Sequence, residues 1–318
     1  MGKYILKRVL WMIPIVLGVV VLTFTLMYFT PGDPASIILG SNATAEQLEI
    51  TREALGLNDP YYIRLAAYLK DVFLHFDLGQ SYITGVPIAQ ALIEKFPSTC
   101  LLALMCMVIS MLAGVPLGIL AATHHNGTTD HVAMTIAIFG VSMPSFWLAL
   151  LLVILFSVRL GWLPPYGIGG IQYYILPAIA GSTGGIAMQA RQTRSSMLEV
   201  IRSDFVTTAR SKGVTEHDVI YKHALPNALI PIITQAGSQF GVMLGGTLIL
   251  ETIFSIPGIG SYIISAVSNR DYPVIQGGVI FLAIAFSIVM LLVDILYAVV
   301  DPRIRSQYVG KRRAKKNE

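Results

Sequence analysis

Two carboxylates sit where carboxylates are expensive. Glu251, in LILETIF, and Asp294, in LLVDILY, each interrupt a long apolar run. An ionisable group inside a membrane-like helix is costly to desolvate, and it marks either a proton, ion or substrate path or a structural pairing. Glu251 lies near the end of its run, which leaves two roles open: part of a pathway or gate, or a carboxylate satisfied by water or a neighbouring helix. Asp294 lies about two turns inside its run, and pairing with a basic or backbone donor is expected there, with contact to a basic substrate terminus as the alternative. His124, His125 and His131 gather loosely in THHNGTTDH and are expected to be solvated loop histidines. Cys100 and Cys106 share one apolar run, about 120° out of line on a helix, and are expected to be buried inert thiols. There is no H-E-x-x-H and no G-x-x-x-x-G-K-[ST], so neither a zinc-protease helix nor a phosphate-binding loop is present in the sequence. No Ser/His/Asp set is placed by a motif. The residues predict no catalytic site, no metal site and no cofactor bound by the chain itself.

The densest polar stretch is DFVTTARSKGVTEHDVIYKHALPNALIPII at residues 204–233. Over 195–212, Met197, Ile201, Phe205 and Thr208/Ala209 share one helical face, and Arg194, Arg202, Arg210 and Lys212 fall largely off it. Gly213 suits a left-handed turn that ends this helix. Thr215 can cap a second short helix, with Glu216 and Asp218 favourably placed in its first turn. Pro226 bars simple continuation and redirects the chain. The spacing thus predicts two short amphipathic helices at a bend, tied at both ends to apolar helices. Such an elbow either lies on lipid or docks as a knob into a groove on a soluble partner, whose movement it would transmit.

The elements that must position these residues are helices in a membrane. Of 318 residues, 54% are hydrophobic and 13% charged, with a mean hydropathy of +0.68. Soluble domains carry about 25% charged residues. Six spans are expected, at about 9–29, 100–122, 132–158, 172–190, 228–254 and 276–300. Their continuous apolar character, without period-2 alternation, argues against a transmembrane barrel. The first run, from Val9 to Phe29, is long and lacks a cleavage signal, so it is expected to be a retained span. The fourth contains AGSTGGIAMQA and fits best inside a bundle, where small residues let backbones approach. Gly237, Gly241 and Gly245 recur at four-residue spacing in the fifth span, as a packing stripe within the chain or against another subunit. Pro144, in VSMPSFW, should kink the third.

Four regions follow: 1–29, the N-terminal start and first span; 30–98, an extracytoplasmic helical segment; 99–300, a five-helix core with a cytoplasmic loop at about 191–226; and 301–318, a basic tail. In 30–98, Thr44 and Gln47 form a capping-box pattern, Gly56 ends that helix, and Asp59-Pro60 resembles an N-cap followed by proline. With the N-terminus inside, sixteen of the 22 Lys and Arg residues fall on cytoplasmic segments, which places both termini in the cytoplasm. The tail is expected to anchor on lipid headgroups. The formal charge of +4 does not point to nucleic acid.

TTARSKGVTEHDVIYKHALPN resembles the coupling loop of ABC-importer permeases. That family's pattern is Glu-Ala-Ala, three residues, Gly, nine residues, Ile, one residue, Leu-Pro. Thr207, Thr208 and Ala209 stand at its first three positions, Gly213 at the glycine, His223 at the isoleucine, and Leu225-Pro226 at the end, followed by Asn227. The glutamate and isoleucine are replaced, as in the peptide/nickel branch. TPGDP, GLNDPYYIRLAAYL, FDLGQSY, GVSMPSFWLALLLV, ETIFSIPGIG, NRDYPVIQG and DPRIR resemble the same branch in order along nearly the whole chain.

The resemblance implies an all-α polytopic protein with the six-helix type I importer permease fold, in a prokaryotic inner membrane. It implies a second homologous permease as partner, two cytoplasmic ATPases docked on the coupling loops, and an extracytoplasmic solute-binding protein. ATP and Mg would be used by those partners. Thr208, Ala209, Gly213, His223, Leu225, Pro226 and Asn227 would couple to the ATPase, and Pro144, Glu251 and Asp294 would belong to the pathway or gate. The cargo implied is di- or oligopeptides, with nickel or a metal chelate as the alternative. A secondary transporter or channel is the rival class. It would show a proton relay or inverted repeat, and the sequence displays neither clearly.

Overall fold

The computed structural model describes residues 2–40 and 42–300, and the basic tail with its DPRIR stretch lies outside them. The described chain is helical almost throughout. Helix α1 (Gly2–Phe29) is followed by three short helices, α2 (Pro34–Leu39), α3 (Ala45–Ala54) and α4 (Tyr61–Lys70), and then by α5 (Ile88–Thr123). Next come α6 (Thr128–Ser142), α7 (Ser145–Leu152), α8 (Gln172–Ile201), α9 (Asp204–Ser211) and α10 (Glu216–Asp218). The last four are α11 (Leu225–Gly246), α12 (Leu248–Ile253), α13 (Ile259–Asn269) and α14 (Tyr272–Val300).

Among the described residues, four helical runs are long and apolar enough to cross a membrane: Ile5–Phe29, Ile88–Thr123, Glu216–Gly246 and Tyr272–Ile295. A fifth is possible as a broken pair, Thr128–Ser142 with Ser145–Arg159, bent by 93°. The expected third span is therefore broken where a kink was expected. Met143, directly before Pro144, takes an extended conformation (φ −88°, ψ 125°). Proline forces that on the preceding residue, and α7 starts afresh behind it. The expected fourth span, α8, does not meet the apolar criterion. It is polar because it is surrounded: Leu176, Ala178, Ala180, Ala187, Gln189, Ala190, Thr193 and Met197 are buried along it.

The α5–α8 pair is the spine of the bundle. At 36 residues, α5 is about 54 Å long at 1.5 Å per residue, well beyond the ~30 Å hydrocarbon layer. It starts at Ile88, inside the segment expected to precede the core, so the 98/99 boundary falls within a helix. Glycines make the close approach possible. A Cβ at Gly118 would lie 2.5 Å from Thr193 Cβ and 2.6 Å from the Ala190 carbonyl, and one at Gly114 would lie 2.7 Å from the Ile186 carbonyl. Polar bridges add to the packing: Ser110 Oγ donates to the Ser182 carbonyl at 3.1 Å, and Gln189 Nε2 to the Ile232 carbonyl of α11 at 3.0 Å. The main apolar core joins Leu102 and Cys106 of α5 to Ala149 of α7, Tyr174 and Leu176 of α8, and Leu250, Phe254 and Ile256.

α1 packs along α14 in the opposite direction: Arg8 bonds Asp294 near one end, and Tyr272 Oη donates to the Pro31 carbonyl at the other. The segment between α1 and α5 covers that second end. Two of its local signals behave as the sequence predicts. Thr44 and Gln47 form a reciprocal capping box on α3, and Gly56 has φ +62°. Asp59 does not cap α4, whose preceding residue is Pro60 without a side-chain cap. Asp33 caps α2 through the Ala35 N–H and pairs with Arg52 at 2.8 Å.

Candidate functional site

The elbow at residues 202–227 forms at the end of the bundle opposite the α2–α4 cover. α8 stops at Ile201, and Ser203 (φ −77°, ψ 153°) begins α9. This break changes the helical phase expected over 195–212. Met197 is buried in the bundle, Phe205 is 46% exposed, and Val206 takes its inward place beside the expected Ala209. With Val219 they form a small apolar centre that locks α9 against the returning helix.

Gly213 has φ +79°, and a Cβ there would meet nothing within 4 Å. Its need for glycine is conformational, since L-residues pay for the left-handed region. A bidentate pair closes the turn: Arg210 Nη2 reaches Glu216 Oε1 at 2.6 Å and Nε reaches Oε2 at 3.0 Å. Thr215 Oγ1 accepts from the Asp218 N–H, as its position predicts. Lys222 Nζ lies 2.9 Å from Asp218 Oδ1, and the rings of His217 and Tyr221 sit 4.8 Å apart. Thr208, Gly213, His223, Pro226 and Asn227 are exposed on this elbow, Leu225 is half-buried, and Ala209 is buried beneath.

Pro226 does not redirect the chain. Residues Glu216–Gly246 form one helical run, with a π-turn at Val219–Ala224 just before the proline. A wide turn relieves the clash between the proline ring and the preceding carbonyls. Asn227 Nδ2 donates to the His223 carbonyl at 2.7 Å, restoring a bond in the turn that proline disturbs.

A second contact beside the elbow was not legible in the sequence. Asp130, in the first turn of α6, is 2% exposed. Arg194 of α8 meets it with Nε–Oδ1 at 2.7 Å and Nη2–Oδ2 at 2.6 Å, and the Asn126 N–H adds a bond at 2.9 Å. His125 Nδ1 stands 3.2 Å from Arg194 Nη2, so this histidine, exposed as expected of the loop, also borders the ion pair. The α5–α6 loop is thereby fastened to α8 just before the elbow.

The residues assigned to a pathway or gate stand in three different local settings. Glu251 is fully buried in α12. Its Oε1 accepts from Thr247 Oγ1 at 2.8 Å and its Oε2 from the Ser261 N–H at 3.0 Å. Thr99 Oγ1 of α5 accepts from the Ile259 N–H at 2.9 Å. A Cβ on Gly258 or Gly260 would collide with the Glu251 carboxylate. Glu251 thus ties the ETIFSIPGIG hairpin into a compact unit on the bundle. Asp294 pairs with Arg8 Nη2 at 2.9 Å, the basic partner that its position favours. Pro144 sits at the 93° break, far along the chain from both.

The glycine stripe also divides. A Cβ on Gly237 would strike Val293, and one on Gly241 would lie 3.1 Å from Phe286, both on α14. A Cβ on Gly245 would meet no described residue within 4 Å. Other close glycine contacts lie outside the stripe, at Gly114, Gly118 and Gly185 between α5 and α8.

Residues 114–306 match the family described as binding-protein-dependent transport system inner membrane component, and residues 1–103 match that family's N-terminal region. A protein of Brucella abortus (strain 2308), named as a peptide transport system permease protein, is 44% identical over 313 residues, covering 96% of this chain and 99% of its own. A dipeptide transport system permease protein of Alkalihalophilus pseudofirmus is 42% identical, covering 96% of this chain and 100% of its own. A glutathione transport system permease protein of Salmonella choleraesuis is 41% identical over 305 residues, with 96% and 99% covered. Among solved structures, an inward-facing MetNI methionine ABC transporter chain superposes with a TM-score of 0.58 at 16% identity, covering 67% of this chain and 97% of that one. An amino acid ABC transporter chain gives 0.50 at 18% identity, covering 68% and 94%. These superpositions show a shared fold, the type I importer permease fold.

Proposed function

This chain belongs to the binding-protein-dependent transport system inner membrane component family, and from that premise we propose that it forms half of the translocation pathway of an ATP-driven peptide importer. The other half is a second, similar permease. Di- or oligopeptides arrive from an extracytoplasmic solute-binding protein, and two cytoplasmic ATPases supply the energy. Both termini then lie in the cytoplasm, on the side of the elbow. This chain has no phosphate-binding loop, so ATP and Mg act on the partner subunits.

The observation that carries the reading is the elbow itself. It projects exposed Thr208 and His223 from a turn braced by Arg210–Glu216 and an apolar centre, and it joins α11 without interruption. When the ATPases close on ATP, the two elbows draw together and the attached helices follow. Hydrolysis releases them, and the pathway alternates between outward and inward access.

Site-specific crosslinkers at Thr208 and His223 should capture an ATPase subunit in the assembled complex. Gly213→Val should abolish peptide uptake while leaving the complex assembled in the membrane, and Gly213→Asn should retain it, because asparagine tolerates the left-handed region. Capture of lipid alone from both positions would remove the basis of the proposal.

A further inference from the structure

Four of the stretches that carry the family resemblance have no role in the elbow: TPGDP, GLNDP, FDLGQSY and NRDYPVIQ. They meet around one cavity. It has a volume of about 650 Å³ and lies between the far end of α1, the α2–α4 cover and the start of α14. Asp33 and Arg52, paired with each other, stand in its wall, and Tyr272 is fixed in it by its bond to the Pro31 carbonyl. Asp271, just behind, accepts from Ser81 Oγ at 2.5 Å and from the Tyr82 N–H at 3.1 Å, which fastens the FDLGQSY loop to the same frame. The cavity is therefore framed by fixed contacts between segments distant in sequence.

Two polar groups in its lining lack partners among the described residues. The Gln276 side chain is 9% exposed and makes no hydrogen bond. Tyr68 Oη is buried and likewise unpaired. Tyr68 Oη is shut off from solvent and needs an occupant that bonds, whereas the Gln276 amide is not among the buried unpaired atoms and is left open to a partner in the cavity. Burial pushes the Tyr68 phenol well above its ordinary range, which keeps it a donor. A glutamine amide offers donors and an acceptor side by side, the complement of a single peptide unit. The rim carries the carboxylates of Asp59, Asp71 and Asp77 beside Arg64; Asp71 also meets His75 and Asp77 accepts from the Gly79 N–H, and their remaining oxygens suit an amino terminus. A cavity of this size falls in the range of small-molecule sites, about 300–1,000 Å³.

We propose that this cavity is an extracytoplasmic holding site for a short peptide, with Gln276 bonded to a backbone amide and the rim carboxylates facing the amino terminus. The proposal rests on the peptide reading above and assigns to this chain a cargo contact distinct from the central pathway.

The test uses the full chain in lipid nanodiscs, without partners, titrated with trialanine and followed by saturation-transfer NMR. Saturable binding is expected, weakened at least tenfold both by Gln276→Leu, which keeps the side-chain volume, and by Ala67→Trp, which fills the cavity from the exposed face of α4. Butylamine, a cation without a peptide unit, should fail to displace trialanine. Absence of saturable binding means that the cavity holds only water, and the proposal falls. It falls equally if neither substitution matters, if butylamine competes as well as trialanine, or if the solute-binding protein without cargo displaces the peptide, which would assign the cavity to a loop of that partner. Trialanine uptake by the wild-type assembled complex in proteoliposomes separates the two readings. Normal uptake without binding to this chain removes only the holding site, and absent uptake with intact binding removes the importer assignment and leaves the site.

Discussion

Asp130 retains almost no contact with solvent, and its two oxygens are consumed by one guanidinium and one backbone N–H. Removing one member of a buried pair leaves the other charge uncompensated, which costs about 3–5 kcal/mol. Arg194→Ala should therefore destabilise the detergent-solubilised protein by roughly 3 kcal/mol and lower its unfolding temperature. The exchange Asp130→Arg with Arg194→Asp should recover part of the loss, and failure of any recovery would mean that the site reads shape rather than charge. At this scale, legibility follows sequence distance. Gly213, Thr215 and the Thr44–Gln47 box are evident in the sequence because turns and caps are local geometry. Asp130 finds its partner 64 residues away, and no local pattern marks either residue. Glu251 stands between these cases. Its cost in an apolar run is plain in the sequence, but its partners come from a hairpin fold that only the structure supplies.

Helices impose their own test through their contact faces. Overpacking a helix interface costs about 1–3 kcal/mol or more when backbones must move apart. Gly118→Val should place methyl groups against the Ala190 carbonyl and Thr193, so poor recovery of folded protein from membranes is expected, measured by detergent-stable monodispersity. Gly245→Ala should leave that measurement unchanged, since no described residue lies within 4 Å of the added methyl. A loss of uptake in Gly245→Ala with normal folding would locate a contact with the second permease. Apolar runs made α1, α5, α11 and α14 legible. α8 was blurred because a helix packed against several neighbours can replace large apolar residues with small and polar ones that bond them. The 93° break in the third span was underestimated as a kink because the sequence shows a proline but not the direction of the chain after it.

Across the whole molecule, chemistry is segregated to two ends. The braced elbow and the Asp130–Arg194 pair occupy one end, and the Asp33–Arg52 pair, the Asp271 junction and the aromatic group of Phe24, Tyr28, Tyr61 and Tyr68 occupy the other. In a background with Cys100 and Cys106 replaced by alanine, cysteines at Asp59 and Lys212 should react with a membrane-impermeant maleimide from opposite sides. The first should label in intact cells and the second only in inverted vesicles. Labelling of both from one side would refute the two-ended arrangement. The helical spans of this plan were readable from apolar length, while the cavity was not, because its walls come from four separated stretches that no periodicity connects.

The unbroken passage from elbow to bundle has a mechanical consequence. Residues Glu216–Gly246 make a rod of 31 residues, about 46 Å long at helical rise. Were it jointed at Pro226, a push on its foot would be absorbed at the joint. Because the helical run continues through the π-turn and Pro226, a tilt of the whole run by about 10° about its foot would sweep the tip by roughly 8 Å, on the order of one helix diameter. A gate on the far face then needs no hinge of its own, only an actuator at the near one.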